Sequence, residues 1–187
     1  MIENNLIYNC QYGIEIGSEE KKTEYPVTAI TVRGNICRDN SVCAMRIGGY
    51  DTKTSGVVMN CEIYNNSFID NTGDFDVIIS MVDNIMFANN IFKTDGGFIE
   101  TEFSSSYIKN LKFFNNCFDG KNEIEILGKE INVEDLNATY GSGNLLTKLK
   151  LDSIFKPETM LVGHSNYTMK YDIYFNKLTE TFVGAVS

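Results

Sequence analysis

The chain has 187 residues, 43% of them hydrophobic, and a net charge of −9 from 16 Lys+Arg against 25 Asp+Glu. That length and composition suit one domain with a real core and exclude disorder, while the acidic balance and the lack of a basic stripe argue against a nucleic-acid backbone or a membrane surface as partner. Asn is the outlying residue type, at 21 of 187.

The opening segment MIENNLIYNC has no basic stretch followed by an apolar one, so no signal peptide is expected in the sequence as it stands. Its first apolar run, ENNLIYN, is followed by YGIEIG at 12–17 and then by the charged insertion SEEKKTEYP. Next come ITVRGNIC at 30–37 and AMRIGG at 44–49, CEIYNNSF at 61–68 and DVIIS at 76–80, IMFANNIF at 85–92 and GGFIE at 96–100, LKFFNNCF at 111–118 and EIEIL at 123–127. A degenerate copy, TYGSGNLL, covers 139–146. Apolar residues alternate within each run, as at Cys61 and Ile63 or Leu111 and Phe113, which is strand rather than helix periodicity.

The runs repeat with Asn at a fixed place: Asn5, Asn35, Asn66, Asn90, Asn116 and Asn144, spaced by 30, 31, 24, 26 and 28 residues. Several short strands per period, with Gly and Asn between them, read as coils of a solenoid. Stacked Asn side chains can satisfy one another across coils, whereas a lone buried amide would be costly. Two residues past each Asn, the column Ile7, Cys37, Phe68, Phe92, Phe118 and Leu146 should be an interior stack. The five cysteines are odd in number and scattered, no CxxC pair occurs, and the single histidine, His164, is far along the chain, so buried small hydrophobes are expected rather than disulfides or a metal site.

The strings YGIEIGSE, ITVRGNIC, MRIGGYD, NCEIYNNSFIDN and NIMFANNIF resemble those of right-handed parallel β-helix proteins of the pectate-lyase-like group, particularly secreted bacterial proteins with many such repeats. The resemblance implies an all-β, right-handed parallel β-helix of about five to six coils over 1–146, with a tail over 147–187 packing on or capping it. It also implies a secreted or cell-surface setting for the full-length form, this chain resembling a C-terminal part. The first coil starts without a visible cap, so self-association through that end is an expectation.

For function the resemblance implies a carbohydrate-binding or carbohydrate-cleaving module, a glycosidase or polysaccharide lyase acting on a polysaccharide or oligosaccharide. The alternative is a non-catalytic structural or binding β-helix, such as a remnant of a larger enzyme. Glu19 matches the acid of the Gly-Ile-Glu-Ile-Gly-x-Glu string, and Asp51 follows a Gly pair. Asp76 stands 25 residues after Asp51, so a one-coil separation of about 4.8 Å would put these carboxylates side by side for glycosidic chemistry. Glu19, Asp51 and Asp76 are therefore the catalytic candidates. Glu15 and Arg46, which share a column, together with Tyr50 and Asp74 are the substrate-binding candidates. Asp51, Asp74 and Asp76 also make Ca2+ the candidate ion, with no other cofactor expected.

Overall fold

The computed structural model describes residues 1–18, 26–158, 163, 166–169, 172–174, 176–178 and 183–185. The chain winds as a parallel β-solenoid of about five turns. Three sheets run along it. The first contains Ile2–Glu3, Thr31–Arg33, Val58–Tyr64, Val82–Ala88, Ile108–Phe114 and Gly141–Ser142, with Val27–Thr28 also paired to Val58–Tyr64. The second contains Leu6–Tyr8, Ile36–Arg38, Ser67–Ile69, Ile91–Lys93, Cys117–Asp119 and Leu145–Leu146. The third contains Tyr12–Ile16, Cys43–Ile47, Phe75–Ile79, Gly97–Thr101 and Ile124–Ile126, and ends on Lys129–Ile131.

The doubled Asn motif divides two tasks between its members. The first residue, Asn4, Asn65, Asn89 or Asn115, takes φ of 51–57°, the left-handed bend that turns the chain from the first sheet into the second, and Gly34 and Gly143 do the same in the coils that lack the pair. The second residue forms the expected ladder. The backbone N–H and Nδ2 of Asn66 donate to Asn90 Oδ1 at 3.0 Å each, and the same pairing runs from Asn5 through Asn35, Asn66, Asn90 and Asn116 to Asn144. Each interior amide also donates to a backbone carbonyl, as Asn90 does to Ile63 at 2.9 Å. The interior amides are thereby satisfied although Asn66 and Asn90 are fully buried.

Beside the ladder the predicted interior column is present. Cys37, Phe68, Phe92 and Phe118 are fully buried, Phe68 meeting Phe92 edge-to-face at 5.2 Å between centroids and Phe92 stacking on Phe118 at 4.7 Å, while Leu146 at the end of the column is exposed. Cys43, Cys61 and Cys117 are buried free thiols too, and Cys10 is exposed.

The segment assigned from sequence to the last coils contains a helix, Val133–Tyr140, which strand periodicity did not anticipate. Asn132 caps it by accepting from the Asp135 N–H, and Asp135 answers in a capping box. Val133 and Leu136 plug the core, and Asn137 takes the place of a further ladder residue: Asn144 N–H and Nδ2 donate to its Oδ1 at 2.9 and 2.8 Å. The third sheet is closed on the same end by antiparallel pairing of Ile124–Ile126 with Lys129–Ile131 through Leu127 and Gly128, both at positive φ as a two-residue hairpin demands. Described parts of the tail pack along the outer side of the second sheet, where Ala185 joins Ile36 and Ile69, and Val183 joins Ile91 and Cys117.

Candidate functional site

The third sheet carries the polar chemistry. Its strands enter from the second-sheet corner with two successive residues directed inward, so Ala44, Asp76 and Phe98 share one register position, and Met45, Val77 and Ile99 the next. The following residue faces outward, giving the column Glu15, Arg46, Ile78, Glu100 and Glu125. The predicted Glu15–Arg46 adjacency is thus present in the register, but the ion pair is made elsewhere. Arg46 reaches across two coils to Glu102, with Nη1 donating to Oε1 at 3.0 Å and Nη2 to the other carboxylate oxygen. Its guanidinium lies 4.0 Å over the Tyr50 ring, and the Tyr50 hydroxyl donates to Glu15. Partial burial, then the Glu15 carboxylate, pushes the Tyr50 phenol up to about 12.

Glu100 sits between these pairs. Partial burial, and then the carboxylates of Glu102, Glu125 and Asp74, raise its carboxyl above the usual glutamate range, with Arg46 acting in the opposite direction. Sequence reasoning singled out none of Glu100, Glu102 and Glu125. The signal was present, since Glu100 and Glu125 each fall one position past an inward residue, Ile99 of GGFIE and Ile124 of EIEIL, as Arg46 does past Met45 in its own coil.

At the leading edge of the same sheet lies an open groove of about 790 Å3, lined by Asp70, Asn71, Thr72, Gly73, Asp74, Phe75, Asp95, Gly96, Gly97, Lys121 and Glu123. Its aromatic element, Phe75, packs closely against Gly97 of the next coil, where a Cβ would come within 2.3 Å of the ring. The groove therefore pairs an aromatic surface with carboxylates on three successive turns. Asp74, one of the predicted binding residues, belongs to it.

Two sequence-based expectations are corrected. Asp51 and Asp76 are not neighbours on adjacent coils, because the coil linking Met45 to Val77 is 32 residues long, not 25, and Asp76 consequently pairs in register with Ala44. Asp76 also faces inward, at 1% exposure, so it cannot meet a ligand on the outer face. Asp51 is instead an exposed turn residue, its carboxylate accepting from the Lys53 N–H at 2.8 Å and the Thr54 hydroxyl at 3.2 Å. Among the described residues no three His, Cys, Asp or Glu side chains, Asp51, Asp74 and Asp76 included, are gathered as a metal-binding group. Glu19 and His164 lie outside the described residues.

No protein-family profile, curated protein or solved structure matches the chain.

Proposed function

We propose that this solenoid binds a saccharide chain along the outer face of the third sheet, entering through the groove over Phe75. The observation that carries the reading is the groove itself: an aromatic ring seated against Gly97, with Asp74, Asp95 and Glu123 among the other lining residues. A sugar ring offers an apolar C–H face to such a ring and hydroxyl donors to such carboxylates. Glu100 extends the acceptor row onto the sheet. Its raised carboxyl suits protonation of a glycosidic oxygen, so it is the acid to test for cleavage.

The second reading, a solenoid with no catalytic role, is favoured by the way Arg46 and Tyr50 are already engaged by Glu102 and Glu15 of the same face. Calorimetry against neutral, anionic and amino-sugar oligosaccharides, followed by product analysis, separates the two. Binding should weaken at least about tenfold in Phe75→Ala, a loss of about 1.4 kcal/mol, and in Asp74→Asn to a smaller extent. Any cleavage should vanish in Glu100→Gln while binding persists. Absence of binding to all three classes, or binding untouched by Phe75→Ala, removes the saccharide reading.

A further inference from the structure

A second, shorter amide chain runs down the corner between the second and third sheets. The Cys10 N–H donates to Asn40 Oδ1 at 3.1 Å, and Asn40 N–H and Nδ2 donate to Asn71 Oδ1 at 3.1 and 2.9 Å. Asn71 Nδ2 then donates to the Cys37 carbonyl at 3.2 Å and to Asp76 Oδ1 at 3.1 Å. There the chain stops. Asp76 is 1% exposed, and its Oδ2 is buried with no partner among the described residues.

The Asn71–Asp76 bond spans the turn Thr72, Gly73, Asp74 and Phe75, four residues that all line the groove. In the coils on either side Ala44 and Phe98 occupy the register position of Asp76, so this turn alone of the three is tied to an ionisable group. We propose that Asp76 is a proton-sensitive bracket: as the neutral acid it stays buried and holds the turn that shapes the groove, and on losing its proton it draws that turn open towards water, the cost of the buried charge outweighing the stronger bond it then accepts from Asn71.

An ionised carboxylate with an unpartnered oxygen in the interior is costly, whereas the neutral acid asks for far less. Burial raises the Asp76 carboxyl well above the usual aspartate range, the bond from Asn71 opposes this, and Asp70 adds to it. The other ionisable groups that bear on it are the Cys37 and Cys43 thiols from the preceding coil, and both are themselves pushed up by burial. The pKa is higher in the folded than in the unfolded chain. Stability from this group is therefore complete below about pH 4, the unfolded value, and is lost as pH rises towards the folded value.

The test is urea unfolding of the full chain across pH 4–8, with an NMR titration of the Asp76 carboxyl. Relative to Asp76→Asn, the wild-type folded-to-unfolded ratio should fall about tenfold per pH unit above pH 4 until the folded pKa is reached. Amide exchange at Thr72–Phe75, corrected for intrinsic rates, should accelerate over the same range in the wild type, and exchange at Thr94–Gly97 should not. Should Asp76→Asn fail to fold, Asp76→Ala, which copies Ala44, supplies the comparison. Parallel stability curves, or a carboxyl titrating near pH 4, overturn the bracket. The consequence for a ligand rests on the saccharide reading: linkage without sugar binding would sink that reading alone, and sugar binding without linkage would sink the bracket alone.

Discussion

The two corners of the solenoid use the same device to different ends. At the corner between the first and second sheets every coil supplies an Asn, from Asn5 to Asn144, and Asn137 of the helix closes the series. At the corner between the second and third sheets only Asn40 and Asn71 stack, and the series runs out on a carboxyl with one oxygen unpartnered. A buried amide is inexpensive only while both neighbours are amides, so a broken ladder must be finished by something else. The complete corner fixes the coil geometry. The incomplete one is where turns differ in sequence, leaving room for the groove lined by Asp74 and Phe75.

Breaking the complete corner at its centre should have the largest effect. Asn90→Ala leaves the Asn66 N–H without its acceptor in a site closed to water, removes the Nδ2 bond to the Ile63 carbonyl, and parts two stacked amides. One stranded buried donor at about 1–3 kcal/mol, with the lost Nδ2 bonds at about 1 kcal/mol each, gives an expected loss of about 3 kcal/mol or more, read from the urea midpoint. Asn137→Ala breaks the same corner at its closed end. The Asn144 N–H and Nδ2 lose their acceptor there, but Asn137 is only half-buried and water can take its place, so about 1–2 kcal/mol is expected. A loss at Asn137 equal to that at Asn90 would mean that the helix, not the ladder, sets the stability of that end.

The difference between the corners also explains how much was legible in the sequence. A feature repeated in every coil can be read without knowing coil length, and the Asn register, the interior column and the parallel solenoid are legible that way, whereas the number of sheets is not. A feature that compares single positions in two coils needs the coil length, and this varies. Asp51 and Asp76 were paired on a spacing of 25 residues, whereas the register between those coils is 32. The inward turn of two successive residues in the three middle third-sheet strands, which buries Asp76, has no signature in an alternating pattern. The helix Val133–Tyr140 was hidden by its brevity, although Asn132 and Asp135 carried the spacing of a capping box. Glu100 and Glu102 escaped notice because Arg46, which brings them into the cluster, belongs to a strand two coils away.

The smallest effect is expected at the open end of the complete corner. Asn5 makes the same bonds to Asn35 as its counterparts make further along, at 3.0 Å from N–H and 2.8 Å from Nδ2, yet it is exposed and its own Oδ1 accepts nothing. Asn5→Ala keeps the backbone bond and hands the Nδ2 contact to water, so the net change should stay below about 0.5 kcal/mol. The value of a ladder amide would then follow its burial. If Asn5→Ala instead costs as much as Asn90→Ala, burial cannot be the reason, and the alternative is that the amides polarise one another along the stack, so that losing the first weakens all the rest.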